Sequence, residues 1–289
     1  MKLALGTVQF GLDYGIANAS GRTPTDEVAR ILDCARQAGI DTLDTAAAYG
    51  HSEQVLGGIG VEGWKVVSKV PPMPEGVVDG RAWVREHARR SLDTLKVDRL
   101  AGLMLHSASD LLKPHGPELA AGLKEAKDMG LADKIGYSIY APHSLAELTS
   151  IMQPDLVQAP FSVLDQRLAT SGWLARLVDA GVEVHARSIF LQGLLLMAPG
   201  QRPAIFERWR PLWRRWDALV EAHGGSALSV CLGFAAMQSD LARIVVGVEH
   251  QGHLQQLLAA WRNAAPISMA QEVSCEDPLL VEPFNWTHQ

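Results

Sequence analysis

The chain has 289 residues, 47% of them apolar and 20% charged, with a net charge of −6, the make-up of an ordinary folded protein rather than a disordered one. That acidic balance leaves no basic surface to hold a nucleic-acid backbone nonspecifically, and no window reaches the apolar length of a membrane span. Three widely spaced cysteines, Cys34, Cys231 and Cys275, lack the paired spacing of a zinc site; with no leader-like pattern after Met1, a reducing, cytoplasmic setting is expected.

In chain order, short β-rich runs alternate with longer helical patterns. A strand is expected at 2–6, followed by a helix at 25–38. That helix is signalled by Pro24, by Val28, Ile31, Leu32 and Ala35 at the helical period, and by Gly39 after it. Further strands are expected at 40–45, 64–69, 100–106, 134–138, 156–159, 182–186 and 244–247. Helical patterns fill the gaps at 52–56, 81–95, 117–129, 142–151, 171–180, 204–222 with 227–238, and 252–260. Three junctions, QAGIDTLD, DMGLADKIG and DAGVEVHA, put Gly just past a helix and an apolar strand just beyond. Within 204–222, Trp209, Leu212, Trp213, Trp216, Leu219 and Val220 recur at helical spacing, the pattern of a face packed on other structure, and Pro211 marks where the regular helix starts. Cys34 and Cys231 sit in such apolar patterns and are expected to be buried.

Eight strand–helix units without a break in composition predict a closed (β/α)8 TIM barrel of the α/β class, filling residues 1–264 as one domain, with a tail at 265–289. In such a barrel the carboxyl ends of the strands meet at one mouth. Those ends carry Asp44, Lys69, His106, Ser138, Gln158, Arg187 and Ser188. A lysine closing the apolar run VVSK needs water or an anion, and Asp44 on the preceding strand is the candidate anion. Tyr49 lies in the loop after Asp44. An ammonium beside its phenol would stabilise the phenolate and so lower a pKa that is ordinarily about 10, allowing proton exchange with an oxygen that becomes negative during reduction. A neutral His106 would hydrogen-bond the same oxygen. Taken singly, each has a structural reading: a strand-end lysine reaching solvent, a helix-capping aspartate, a satisfied polar histidine.

The segment GIDTLDTAAAYGHSEQVLG is similar to the signature of the aldo-keto reductase superfamily, and the resemblance runs from LALGTVQFG to IVVGV. It implies that Asp44, Tyr49, Lys69 and His106 are the catalytic set of a metal-independent reductase of carbonyl compounds. NADPH is the expected coenzyme and NADH the second choice, held without a Rossmann domain. Ser138 and Gln158 match residues that bond the nicotinamide carboxamide, and Thr7 one beside the nicotinamide ribose. Arg187 and Ser188 stand where relatives carry an aromatic residue and serine, so Arg187 would lie over the nicotinamide or point to the pyrophosphate. Gly247, Glu249 and His253 stand at and after the last strand, where many relatives grip the extra phosphate of NADPH with Ser, Lys or Arg. In that family the carboxyl-terminal loop often folds over the mouth, so Phe284 and Trp286 would supply apolar wall; a surface-packed or disordered terminus fits the sequence equally well. Few fixed cations are expected at the mouth apart from Arg187 and Arg167, which favours an aldehyde or a neutral, sugar-like carbonyl. Two rival functions are a Schiff-base aldolase using Lys69 and a noncatalytic nicotinamide-binding regulator. The partner is expected to be a small carbonyl compound, with the oligomeric state open between a monomer and a small homo-oligomer.

Overall fold

Three glycines at helix ends determine where three strands begin. Gly39, Gly130 and Gly181 have φ of +82°, +73° and +75°, the left-handed conformation that lets the chain turn out of a helix without a side-chain clash. The computed structural model describes residues 1–288. Its strands are β1 Leu3–Gly6, β2 Thr42–Asp44, β3 Lys65–Val70, β4 Gly102–Leu105, β5 Ile135–Ser138, β6 Leu156–Pro160, β7 Glu183–Arg187 and β8 Arg243–Gly247. Each pairs in parallel with the next, and β8 pairs with β1, closing an eight-stranded barrel in sequence order. With helices between the strands, this is the (β/α)8 TIM barrel that the sequence predicts.

The helices depart from the predicted spans where glycine or proline intervenes. The helix predicted at 171–180 begins at Trp173, because Gly172, with φ +77°, separates it from a short turn at Arg167–Thr170. The stretch predicted as one helix at 204–222 is a 3-10 segment, Ala204–Trp209, followed by the α-helix Arg210–Ala222 with Pro211 in its first turn. Proline has no N–H to give and is tolerated there. The next helix ends at Ala236 rather than 238. Cys231 is buried as expected, whereas Cys34 is only half-buried, because it lies at the edge of the packed face of Thr25–Gln37.

Successive strand residues alternate between barrel interior and helix layer. Val67, Met104 and Leu156 form a small apolar cluster apart from the main core, and each lies two residues before Lys69, His106 or Gln158. The same strand faces that plug the barrel therefore carry polar groups one layer higher. Gly136 on β5 allows β6 its close approach, since a Cβ there would sit 1.6 Å from the Leu156 carbonyl oxygen. At the other end of the barrel, Glu183 binds both Lys134 and His185. Its hydrogen bond with His185, working against burial and aided by Lys134, holds its carboxyl down to about 2.

The main core between barrel and helices includes Trp213 and Trp216, the face read from the tryptophan spacing. In the tail, Trp286 donates to the Leu280 carbonyl at 3.1 Å and packs edge-on to Phe206, while Phe284 packs edge-on to Tyr140. Gln289, the last residue of the predicted tail, lies outside the described residues. Among the described residues no single helix is long and apolar enough to cross a membrane.

Candidate active site

β2 and β3 are paired so that Asp44 is level with Val67, which places Asp44 and Lys69 near each other on the interior face at the carboxyl ends of their strands. The ammonium of Lys69 lies 2.8 Å from both carboxylate oxygens of Asp44 and 3.0 Å from the Thr45 carbonyl. Both side chains are almost wholly buried, 1% and 5% exposed, so neither charge would be tolerated alone. Burial pushes the lysine pKa down, the facing Asp44 more than offsets it, and the net position is above the ordinary value. Lys69 is therefore a fixed cation.

Its remaining reach is toward Tyr49. The phenol oxygen is 3.4 Å from Lys69 Nζ, and the ammonium lies 5.0 Å from the ring centroid. The loop that carries Tyr49 is pressed against the loop after β1: a Cβ on Gly11 would lie 1.8 Å from the Tyr49 carbonyl oxygen. Ser52, at the start of the helix Ser52–Ile59, donates to the carbonyl of Thr7 at 2.9 Å, tying β1 to the same corner. One expectation is corrected here. Burial pushes the Tyr49 phenol above its ordinary value, and Lys69, partly countered by Asp44, offsets that push without reversing it. The phenol is thus protonated at neutral pH.

His106 follows β4, its ring edge-on to Tyr49 with centroids 5.6 Å apart. Burial, with Lys69 and Arg187 adding cationic repulsion, holds its pKa down to about 4, so the ring is neutral at physiological pH. The structure thus brings together all four residues singled out as a catalytic set.

These four residues line a cavity of about 960 Å³ that also takes in Thr7, Ser138, Gln158, Arg187, Ser188, Gly247, Glu249 and His253. Every position expected to bind coenzyme therefore faces one space, but several side chains are already engaged. Gln158 donates to Asp44 Oδ1 at 2.6 Å, leaving its Oε1 buried and without a partner among the described residues. The Thr7 hydroxyl donates to the Asp44 carbonyl at 3.0 Å and lies 2.8 Å from the Ser52 hydroxyl. Arg187 is held by neighbours of its own. Its guanidinium lies over the Tyr140 ring, 4.8 Å from the centroid, and donates to the Ile139 carbonyl at 3.0 Å and to Ser188 Oγ at 3.2 Å. Arg167, the other cation expected at the mouth, is held by Asp165 and Glu282 at 2.9 and 2.8 Å.

Past β8, Glu27 Oε1 accepts from the Gln251 amide at 2.6 Å, and His250 Nδ1 from the His253 amide at 3.2 Å. The start of the helix Gln251–Arg262 is thereby partly capped by the protein's own groups. Gly247 gives room to Gln9, whose side chain would be 2.8 Å from a Cβ at that position. Gln9, Tyr140 and Gln192 line the cavity without having been singled out in the sequence. Glutamines in short loops carry no periodic signal, whereas Tyr140, two residues beyond Ser138, could have been found by following β5 past its end.

The family model for the aldo/keto reductase family matches residues 2–274. Among solved structures, the chain is similar to an aldo-keto reductase from Bacillus halodurans in its holo form, with a TM-score of 0.75 and 20% identity over 96% of this chain and 94% of that one. It is also similar to the glycerol dehydrogenase from Gluconobacter oxydans, with a TM-score of 0.73 and 20% identity over 94% and 89% of the two chains. No curated protein matches it in sequence. The structural likenesses agree on the barrel, and the family model spans nearly all of it: the chain belongs to the aldo/keto reductase family.

Proposed function

We propose that the protein is a nicotinamide-dependent oxidoreductase that reduces an aldehyde or ketone to an alcohol, with Tyr49 exchanging the proton. The observation that carries this reading is the phenol of Tyr49 at a cavity wall, 3.4 Å from a buried ammonium that both oxygens of Asp44 hold in its charged form. A bound reduced nicotinamide would supply a hydride to the carbonyl carbon. Tyr49 holds the proton that the carbonyl oxygen needs as that oxygen becomes negative, and gives it up at that oxygen. Lys69 then stabilises the resulting phenolate at short range. Neutral His106 donates one ring N–H to the same oxygen and orients it. In the reverse direction Tyr49 takes the proton back.

The residues present fit a nicotinamide. Gln158 Oε1 and Gln9 Oε1 are buried acceptors without partners among the described residues, both residues line the cavity, and a carboxamide N–H2 would satisfy such an acceptor. Ser138 adds a hydroxyl on the strand beside Gln158. Thr7, Ser188, Gly247, Glu249 and His253 complete the proposed coenzyme contacts. At the β8 end the observations favour NADH over NADPH. The cavity wall there carries Glu249 and no Lys or Arg, and the amides of Gln251 and His253 are taken by Glu27 and His250. A ribose hydroxyl can donate to a carboxylate, whereas a phosphate would be repelled by it.

A Schiff-base role for Lys69 requires a free amine, and its ion pair with Asp44 works against that. A noncatalytic binding role remains a distinct outcome of the same experiment: titration of the purified protein with NADH and NADPH, then an aldehyde and ketone screen with the tighter coenzyme. Coenzyme consumption matched by alcohol formation is expected, with NADH the tighter. Binding with no turnover of any carbonyl would replace the reductase reading with the regulatory one.

A further inference from the structure

Arg187 is a cation of the cavity with no carboxylate partner among the described residues. The three cationic residues lining the cavity are Lys69, Arg187 and Arg202. Lys69 is neutralised by Asp44, and Arg202 by Asp217. The described side chains place no carboxylate within ion-pair distance of Arg187. Its two hydrogen bonds inside the protein go to a carbonyl and a hydroxyl, both neutral. A guanidinium has five N–H donors, so two used by the protein leave three for a ligand. The half-buried guanidinium also lies over the Tyr140 ring, and Phe284 packs on Tyr140 with centroids 4.8 Å apart.

The direction in which Arg187 leans takes it away from the β8 side of the cavity and toward Ser138, beside the end of the coenzyme where the nicotinamide, and so the reacting carbonyl, is proposed to lie. Although it ends β7, its side chain crosses β6 to the Ile139 carbonyl just past β5. Gly247, Glu249 and His253 lie at and beyond β8, on the other side of β7. Arg187 is nevertheless close enough to the reacting corner for its charge to act on both Tyr49 and His106. A cation with spare donors, lining the same cavity as the proton donor and turned away from β8, is suited to an anionic group on the molecule that carries the carbonyl.

We propose that Arg187 is a substrate-anion site, so that the physiological substrate is a carbonyl compound bearing a carboxylate or phosphate, which the guanidinium binds while the carbonyl oxygen faces Tyr49. This rests on the reductase reading above and revises the neutral carbonyl expected from the sequence. The step is a two-electron reduction: hydride from NADH adds to the carbonyl carbon, the Tyr49 proton adds to its oxygen, and solvent reprotonates Tyr49. The products are the hydroxy acid, or hydroxy phosphate, and NAD+.

Matched pairs test it. Initial rates are measured for 3- and 4-carboxybenzaldehyde against the corresponding carboxamides, and for glyceraldehyde 3-phosphate against glyceraldehyde, in wild type, Arg187→Lys and Arg187→Met. The anionic member of at least one pair is expected to have a kcat/KM about tenfold or more above its neutral partner, mainly through KM, as one charge-assisted contact supplies. The first pair identifies a carboxylate, the second a phosphate. Arg187→Met should bring that ratio close to one, and Arg187→Lys should keep part of it. No preference for either anion in wild type would overturn the proposal. So would a loss in Arg187→Met that falls equally on charged and neutral members, or that matches a rise in the Kd of NADH measured by fluorescence. If no carbonyl compound is turned over, the reductase reading fails by itself. Calorimetric titration with benzoate, benzamide and inorganic phosphate then reads the site alone: anion binding that Arg187→Met abolishes sustains it, and no anion binding in wild type ends it.

Discussion

At the scale of single residues, the site is organised by one buried ion pair. Lys69 and Asp44 stay charged because each desolvated group faces the other, and removing one leaves the other stranded. Lys69→Met is therefore expected to lower stability by about 3–5 kcal/mol in chemical denaturation, and the double variant Asp44→Asn/Lys69→Met to recover much of that. A double variant that is simply the sum of two large losses would show that the pair is not the stabilising unit. Asp44, Lys69 and His106 were legible in sequence because strand ends in a closed barrel converge whatever their separation along the chain, and Tyr49 through the resemblance carried by the loop after Asp44. Orientation was not legible. Gln158 turns to Asp44, and Arg187 to Tyr140 and Ile139, choices made by neighbours from other strands. The direction of the Tyr49 shift was also hidden, since it depends on how far burial outweighs one ammonium.

At the scale of elements, the loops after β1 and β2 hold Tyr49 in place by direct backbone contact. Gly11→Ala would drive a methyl group into the Tyr49 carbonyl, where the available space is 1.8 Å. It should lower both melting temperature and turnover, while Gly58→Ala, which meets nothing within 4 Å, should leave both nearly unchanged. Equal behaviour of the two variants would mean that the loops yield at little cost. The helix Gly80–Leu95 starts at Asp79, whose side chain accepts from the Ala82 amide at 2.8 Å. Asp79→Ala should cost about 1 kcal/mol, read as a shift in denaturation midpoint without loss of coenzyme binding. Each of the eight strands was legible because apolar runs were bounded by glycine or polar residues. The breaks at Gly172 and before Arg210 were less so, because an apolar helical period persists across a backbone interruption.

For the whole molecule, two half-buried groups, His106 and Glu183, make stability fall in acid. The folded protein keeps His106 neutral down to about 4, against 6.5 in an unfolded chain. Below 6.5 the unfolded state binds the extra proton, so stability present above 6.5 is lost as pH falls toward about 4. Glu183 extends the decline. Its carboxyl, ordinarily at 4.5, is held down to about 2, so its contribution is lost as pH falls from 4.5 toward about 2. Denaturation midpoints across pH 7 to 4 should fall for wild type and less steeply for His106→Asn; parallel curves would remove His106 as a source. The barrel also gathers the proposed catalytic and coenzyme residues around one cavity, so NADH binding should raise the melting temperature in a concentration-dependent way.

The role of Tyr49 is tested most directly by stopped-flow oxidation of bound NADH by the best aldehyde of the screen, in wild type and Tyr49→Phe, with the Kd of NADH measured alongside. The substitution removes one hydroxyl and little volume, so the hydride-transfer rate should fall about 100-fold or more while coenzyme affinity is retained. Equal rates in the two proteins, with coenzyme equally bound, would contradict proton donation by the phenol.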